Sequence, residues 1–280
     1  MSMVQRDSSV SVRGARAAGE GFVDSRLFAI LSRAGFVARA LIYGIIGLLA
    51  LELATRQGGK ITNQQGALRS VEQHPFGHLL LALLAAGLGG YALWRLFRAA
   101  LGHGRQGTDH GIERLGALGS GIVYAAMCVV AVQILTGPGT SGKGNAKKTA
   151  GDVFSWPAGR WLVAIAGVVL AGVACYQLIR GVRKKFLADS NTDQMPKPVY
   201  KAFTVLGTIG HVARAIVFGL VAVFLIKAAY DYKANEAIGL DGALGKLYDG
   251  AYGAWLLGAV AAGLIAFACF SLVEARYRKI

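Results

Sequence analysis

Charged residues are scarce in this sequence, and acidic residues are scarcer than basic ones. Only 16% of the 280 residues are charged, with 15 Asp and Glu against 30 Lys and Arg. Soluble domains usually carry about 25% charged residues, so this scarcity argues against a soluble protein. The net charge of +15 does not indicate a nucleic-acid-binding protein, because the basic residues are spread between long apolar segments.

Residues that could support catalysis or bind metal are also few. The cysteines Cys128, Cys175 and Cys269 lie in apolar segments, so we interpret them as packing residues and not as disulfides or metal ligands. His74 and His78 are four residues apart, but no nearby Asp, Glu or Cys completes a metal site. No Gly-rich phosphate loop, His-Glu-x-x-His, Cys-x-x-Cys or nucleophile elbow is present. We therefore expect a non-enzymatic protein with no metal and no small-molecule cofactor.

Apolar residues are abundant, at 54% of the sequence, and they fall in six segments. A helix needs about 20 mostly apolar residues to cross the core of a bilayer. Six spans reach this length, at residues 34–55, 76–97, 115–136, 158–179, 206–228 and 252–273. The sequence therefore predicts an all-α integral membrane protein with six transmembrane helices.

The six spans form three repeats of two spans each. Equivalent positions are Tyr43, Tyr124 and Phe218 in the first spans, and Gly77, Gly159 and Gly253 in the second spans. Because each repeat contains two spans, successive repeats enter the membrane in the same orientation, which predicts a pseudo-threefold bundle. We place repeat one at 26–104, repeat two at 105–187 and repeat three at 202–280, with a linker at 188–201.

A short segment with apolar residues at helical spacing lies between the two spans of each repeat. These residues include Ala67 and Leu68 in repeat one, Val153 in repeat two and Leu244 in repeat three, where Asp241 is a candidate N-cap. We predict short interfacial helices on the outer face of the membrane. An ordinary loop is the alternative.

The distribution of Lys and Arg predicts the topology. Eighteen of them lie in the N-terminal arm, the second and fourth connections and the C-terminus, and ten lie in the other three connections. Cytoplasmic segments are enriched in Lys and Arg, so both termini, the arm at 1–25 and the linker are placed in the cytoplasm. Residues 1–25 are polar and lack the apolar core of a secretory signal, and we expect them to be disordered.

Small residues recur at every fourth position in two second spans. They are Ala254, Gly258, Ala262 and Ala266 in repeat three, and Ala82, Ala86 and Gly90 in repeat one. Because transmembrane helices approach closely where side chains are small, we interpret both stripes as helix-packing faces.

Two sets of equivalent polar positions are candidate functional sites. The first set is Arg39, Ser120 and Arg214, about one turn inside the cytoplasmic end of each first span. These arginines either reach the headgroups or cap neighbouring helices, or they form a site for anions or lipid headgroups.

The second set lies thirteen residues further on, near the outer interface. It consists of Glu52, Gln133 and Lys227, which are either solvated interface residues or an acid, an amide and a base that close the outer end of the bundle. Thirteen residues turn a helix by about 140° relative to the first set, so both sets cannot face one axis.

Ionisable residues are missing at the predicted mid-membrane depth. Tyr43, Tyr124, Cys128 and apolar side chains occupy this level, with no Asp, Glu, Lys, Arg or His. Coupled transporters keep ionisable relays there, so a transporter of charged solutes is disfavoured. The expected partners are membrane lipids and other membrane proteins, with no specific nucleic acid.

Several motifs resemble a known family. They are Gly-x-x-Ala-Arg-x-x-Ile-Tyr-Gly at the start of a span, Gly66-Ala67-Leu68 before Pro75-Phe76-Gly77, Gly90-Tyr91-Ala92-Leu93-Trp94-Arg95, Pro157-Ala-Gly-Arg160-Trp161, Gly239-Leu-Asp241-Gly-Ala-Leu244, and Glu274-Ala-Arg276-Tyr-Arg278. Together they resemble the bacterial membrane family known as domain of unknown function 1206, which is built of three two-span repeats. The resemblance covers about residues 27–280. It implies a bacterial integral membrane protein and carries no catalytic residues.

These features predict a multi-pass protein of the bacterial inner membrane. The function that we expect is that of a scaffold or an accessory subunit of a membrane complex. The alternative is a channel-like protein, or one that handles lipids or small solutes along the pseudo-threefold axis.

Overall fold

The structure is a computed structural model that describes residues 26–55, 61–73, 77–101, 111–136 and 146–279. The arm at 1–25 lies outside these ranges, and so do His74, Pro75 and parts of the connections between helices. The predictions that concern those residues are therefore not addressed by the structure.

Nine α-helices account for most of the described residues. They are α1 (Arg26–Ala54), α2 (Gln64–Glu72), α3 (Gly77–Leu101), α4 (Gly111–Thr136), α5 (Ala146–Phe154), α6 (Gly159–Val182), α7 (Lys197–Tyr230), α8 (Leu240–Tyr248) and α9 (Gly253–Tyr277). Six of them, α1, α3, α4, α6, α7 and α9, are long and apolar enough to cross a membrane. The predicted all-α fold with six spans is confirmed, and the described ranges contain no β-strand.

The long helices pack mainly across the boundaries between repeats. Helix α3 packs on α4, α6 on α7, and α9 returns to pack on α1. Within repeats one and three, the two spans also pack on each other, α1 on α3 and α7 on α9. In repeat two, α4 and α6 do not pack along each other anywhere in their described lengths. The pseudo-threefold symmetry of the bundle stays a prediction.

The core of the bundle is apolar and continuous from repeat to repeat. Ile46 of α1, Leu81 of α3, Ala131 of α4, Val217 of α7 and Leu264 of α9 are completely buried in one cluster. The longest helix, α7, has 34 residues and is about 50 Å long at 1.5 Å per residue. It therefore exceeds the roughly 30 Å of a bilayer core.

Each predicted short segment is a helix. In α2, the side chain of Asn63 caps the N-terminus by accepting a hydrogen bond from the Gly66 amide. Ala67 and Leu68 of α2 are fully buried against the bundle. The predicted Asp241 cap is wrong, because Gly239 is the N-cap of α8 and Asp241 lies in the first turn. That these helices lie at the membrane interface stays a prediction.

A glycine begins the second span of every repeat, and a close contact explains it. A β-carbon on Gly77 would overlap the carbonyl oxygens of the last turn of α2. In the same way, a β-carbon on Gly159 would overlap the carbonyl oxygen of Val153, and a β-carbon on Gly253 would overlap the carbonyl oxygen of Tyr248. The chain therefore turns back on the short helix at a point where no side chain fits.

The closest contacts between helices are made by small residues that do not belong to the predicted stripes. Ala82, Ala86 and Ala262 are exposed, so those stripes are not continuous packing faces. A β-carbon on Gly35 would instead overlap Tyr91, and one on Gly210 would lie 2.6 Å from the Cα of Phe267. These contacts join the two spans of repeats one and three, because the glycine lets a large ring approach the helix backbone.

Repeat two keeps the glycine but lacks the contact. Gly116 is the equivalent of Gly35 and Gly210, and a β-carbon on it would meet no atom of the described residues within 4 Å. Gly119, one turn further along α4, is equally open. The same face of the first span is therefore covered in repeats one and three, and the described residues leave it uncovered in repeat two.

We expect Gly210→Ala to destabilise the protein and Gly116→Ala to leave it unchanged or slightly more stable. Overpacking at Phe267 should cost about 1–3 kcal/mol. At the open position, alanine favours the helix by up to about 1 kcal/mol. Unfolding of the purified variants by SDS in mixed micelles measures both effects. Equal losses of stability would contradict the difference in packing between the repeats.

Candidate functional site

Polar side chains from five helices meet near one end of the bundle, where α6 and α9 end and where the charge distribution predicts the cytoplasm. We call this group the polar cluster. Its members are Arg39 of α1, Tyr91 of α3, Gln177 and Arg180 of α6, Asp189 of the linker, His211 and Arg214 of α7, and Ser271, Glu274 and Arg278 at the end of α9. Most of these side chains are buried.

Arg39 joins the first span to the last one. Its Nη2 lies 2.5 Å from Oε2 of Glu274, and both side chains are almost fully buried, at 7% and 3% exposure. Its Nε donates to the hydroxyl of Ser271 at 3.2 Å, and its Nη1 donates to the hydroxyl of Tyr91 at 3.4 Å. Arg39 therefore connects helices inside the protein and does not extend towards the headgroups.

Aromatic rings enclose the guanidinium groups of the cluster. Arg39 lies 4.9 Å from the ring centroid of Phe36 and 5.0 Å from that of Phe267. The guanidinium of Arg214 lies 4.4 Å from the same Phe267 ring and 5.0 Å from the ring of Tyr43. The negative faces of these rings partly compensate the positive charges in a medium that holds little water.

The ion pair extends from Glu274 into the linker. The second oxygen of Glu274 lies 2.5 Å from Nη1 of Arg278, which is also 3.3 Å from Oδ2 of Asp189. The same oxygen of Asp189 lies 2.5 Å from Nη2 of Arg180. Two carboxylates thus hold three arginines from α1, α6 and the end of α9.

Backbone hydrogen bonds fasten the linker to the same end of α9. The amide of Asn191 donates to the carbonyl of Tyr277 at 2.7 Å, and the amide of Lys279 donates to the carbonyl of Asp189 at 3.1 Å. The linker that leads from repeat two to repeat three is therefore held by the C-terminal residues of the chain.

Arg214 has a different environment from the equivalent Arg39. The Gln177 amide fits its neighbours in one orientation, in which its oxygen accepts from Nη1 and Nη2 of Arg214 at 2.9 and 3.2 Å. Its nitrogen then donates to Nδ1 of His211 at 3.0 Å. In the opposite orientation, amide and guanidinium N–H groups would face each other. Gln177 thus bridges two residues of α7 and supplies no negative charge.

The predicted set of Arg39, Ser120 and Arg214 does not form a ring of equal members. Ser120 donates to carbonyl oxygens of its own helix, those of Gly116 at 2.8 Å and Ala117 at 3.1 Å. Arg39 is neutralised by Glu274, whereas Arg214 forms no ion pair with a described residue. Whether this set binds an anion stays a prediction.

The structure does not bring Glu52, Gln133 and Lys227 together. All three side chains are exposed, and Nζ of Lys227 lies 3.0 Å from Oε2 of Glu236 in the turn after α7. Because an acid close in sequence is available, Lys227 pairs with Glu236 and not with Glu52. Whether this set closes the outer end of the bundle stays a prediction.

Cys128 fits the predicted packing role, because its thiol donates to the carbonyl of Ala85 at 3.2 Å between α4 and α3. Cys175 and Cys269 are exposed on their spans instead. The described ranges contain no group of three His, Cys, Asp or Glu side chains that could hold a metal ion.

Sequence reasoning missed the carboxylate on which the cluster depends. Glu274 occupies the repeat position of Arg98 and Arg180, as counted from Gly77, Gly159 and Gly253. Alignment of the repeats could have identified Glu274, because it is an acid at a position where the other two repeats have arginine. Asp189 and Gln177 give no such signal, because their roles depend on how the linker and α6 pack.

Six apolar helices, three repeats and a buried ion network at one end define a multi-pass α-helical membrane protein. Models of one family match three segments, at residues 34–102, 115–184 and 209–278, each of which contains one pair of spans. The chain belongs to this family, which is described as Domain of Unknown Function (DUF1206). The resemblance found in the sequence motifs is thereby confirmed.

A relative in Bacillus subtilis (strain 168), the "Uncharacterized protein YxxB", is 31% identical over 253 residues. The similarity covers 89% of this chain and 90% of the relative, so it includes all three repeats. No solved structure matches the chain.

We expect Glu274→Gln to destabilise the protein by about 3–5 kcal/mol, because Arg39 and Arg278 lose a buried counter-ion. Unfolding by SDS in mixed micelles measures the loss. Asp152→Asn, which removes an exposed acid, serves as the control and should have little effect. In addition, Arg39→Met combined with Glu274→Met should cost less than the sum of the single variants. Full additivity would show that the two side chains do not stabilise each other.

The contact between Lys227 and Glu236 should appear in the titration of the carboxyl group. The charge-assisted contact with Lys227 holds the pKa of Glu236 below its usual range. The contact therefore stabilises the fold at neutral pH and loses its effect as the pH falls through this lowered pKa. In Lys227→Met, NMR of ¹³C-labelled carboxyl groups should show the pKa of Glu236 moving upward. Lys246→Met serves as the control, and an equal shift in that variant would contradict the pairing.

Proposed function

We propose that this protein is a non-enzymatic scaffold or accessory subunit of a complex in the bacterial inner membrane, with both termini in the cytoplasm. The observation that carries the proposal is the uncovered face of repeat two. Its two spans do not pack on each other, although the equivalent spans of repeats one and three do. A helix of another membrane protein would complete repeat two in the way that the second span completes the others.

The glycines of α4 support this role. At Gly35 and Gly210 the equivalent surface is filled by the rings of Tyr91 and Phe267, which belong to the second spans. In repeat two the corresponding residue of α6 is Val173, which is 38% exposed. Small residues that face no partner within the chain offer a close approach to a helix from outside.

The spans of repeat two are less buried than those of the other repeats, as expected if a partner helix binds to them. Only 17% of the α4 span and 22% of the α6 span are buried within the chain, against 56% for α1 and α9. In a pseudo-threefold bundle, which we also propose, the three pairs of spans would be covered alike. The deficit in repeat two is thus a departure from the symmetry and not a general property of the fold.

Equivalent contacts support the pseudo-threefold arrangement. Tyr43 of α1 packs on Phe267 of α9 with ring centroids 5.1 Å apart, and Tyr124 of α4 packs on Tyr91 of α3 at 4.5 Å. Both pairs occupy matching repeat positions at two successive boundaries between repeats. The third boundary has Phe218 and Val173 at these positions.

The packed core does not favour the channel-like alternative. Ile46, Ala50, Ala131 and Leu264 are completely buried, so apolar side chains fill the middle of the bundle. A water-filled path along the axis would need exposed polar side chains at this level. The scaffold therefore fits the described residues better than a channel.

Photo-crosslinking tests the scaffold in its native membrane. A crosslinking amino acid at Gly119 should give an adduct with one defined membrane protein, since a β-carbon at this position has no described atom within 4 Å. Matched positions at Leu83 and Ile216, also exposed but on repeats one and three, should give only lipid adducts. Reciprocal tagging of the captured protein should recover the chain, and Gly119→Trp should reduce that recovery at least about tenfold. Adducts with lipid alone at all three positions would refute the proposal.

A further inference from the structure

We propose that Arg214, His211 and Gln177 form a binding site for one phosphate group, supplied either by an anionic phospholipid or by inorganic phosphate. The site lies between α6 and α7 near the end of the bundle that carries the polar cluster. This inference does not depend on the scaffold function, because it concerns a different face of the chain.

Arg214 lacks an acidic partner of the kind that the equivalent residue Arg39 has in Glu274. Arg39 is 2.5 Å from the carboxylate of Glu274, whereas no Asp or Glu in the described ranges lies within 4 Å of Arg214. Among the described side chains, the oxygen that accepts hydrogen bonds from Arg214 belongs to the neutral amide of Gln177. A cation inside a membrane protein is costly unless a partner compensates its charge.

The repeat alignment explains why the acid is missing. The α9–α1 boundary has Glu274 at the position where the α6–α7 boundary has Arg180. Arg180 adds a second cation, and the nearby Asp189 already contacts both Arg180 and Arg278. The cluster as a whole contains the four arginines Arg39, Arg180, Arg214 and Arg278 and only two carboxylates. An anion would restore the balance of charge at the α6–α7 boundary.

Two buried hydrogen-bond donors belong to the same group of residues. Nε of Arg214 and Nε2 of His211 are both buried, and neither has a hydrogen-bond partner among the described residues. Because Nδ1 of His211 accepts from Gln177, the proton of a neutral ring must be on Nε2, which makes it a donor without an acceptor. Buried donors in native proteins are almost always satisfied, and those without a protein partner indicate a bound water or ion.

A phosphate group fits these donors in charge and in shape. Guanidinium groups bind phosphate oxygens through parallel hydrogen bonds, and a phosphate has enough acceptor atoms for several donors. Arg214 is half-buried, so part of its side chain is accessible from outside the bundle. Gln177 lies five residues before α6 ends at Val182, about 8 Å along the axis, which is within reach of a lipid phosphate.

The surface around the end of α6 favours an anionic ligand as well. Arg183 and Lys184 follow the helix and are exposed. Basic residues just beyond a span attract anionic headgroups at a membrane surface. They would raise the local concentration of such lipids next to the proposed site.

Binding is tested with the purified full-length chain after removal of bound lipid by detergent exchange. Native mass spectrometry with added phosphatidylglycerol should show one lipid retained per chain, and phosphatidylcholine, whose headgroup has no net charge, should be retained less. Inorganic phosphate is added in a separate arm, with thermal unfolding as the readout. Retention of phosphatidylglycerol identifies a lipid phosphate, and stabilisation by phosphate without lipid retention identifies the free ion. If neither probe binds, the two donors are solvated by water and the proposal is wrong.

Gln177→Glu is the sharpest variant. It places a carboxylate beside Arg214, as Glu274 lies beside Arg39, and should keep the protein folded while weakening binding of the phosphate probe at least about tenfold. Arg214→Gln should weaken binding to a similar degree. Arg276→Gln, which removes an exposed arginine at the same end of the bundle, should not change it. Unchanged binding in Gln177→Glu, or an equal loss in Arg276→Gln, would overturn the assignment.

Discussion

The ion pair between Arg39 and Glu274 is the interaction on which the arrangement of the bundle depends. It joins the first span to the last, and it lies where almost no water reaches, so neither charge is tolerable without the other. Arg278 and Asp189 extend the network to the linker between repeats two and three. One carboxylate thus connects the two ends of the described chain and the segment that separates its repeats. The buried charge pair fixes one contact between particular residues, in addition to the close packing of small residues that joins transmembrane helices.

The three repeats share a sequence pattern, yet they differ in the features that matter for function. At the positions of Arg39 and Arg214, the same residue type has a carboxylate in one case and an amide in the other. At the positions of Gly35 and Gly116, the same glycine is covered in one repeat and open in another. Departures from internal symmetry are informative in a repeat protein, because each repeat serves as a control for the others. Within the described residues, they indicate an uncovered helix face in repeat two and, at the next boundary, an arginine without a carboxylate partner.

Much of the fold was predictable from the sequence, and the candidate site was predictable only in part. Long apolar segments and short amphipathic segments correspond to the nine described helices, since both signals depend on residues close in sequence. The importance of Arg39 was also visible, because an arginine inside a span is rarely without a role. Its partner Glu274 lies 235 residues away, and no local pattern links the two. The small-residue stripe through Ala82 and Ala86 was misread for the same reason, because a stripe does not show which face meets another helix.

By itself, the sequence determined that this is a membrane protein of six helices in three repeats. Length, hydropathy and repeat period follow from the order of the residues along the chain and do not depend on which helices touch. The family membership follows from the same motifs. Only the tertiary structure decided which helices touch, which arginine obtains the carboxylate, and that Lys227 pairs with Glu236 instead of Glu52. These outcomes depend on competition between alternative partners in space. That competition is settled by helix packing, desolvation of charge and the few acids available, none of which can be read from any single span.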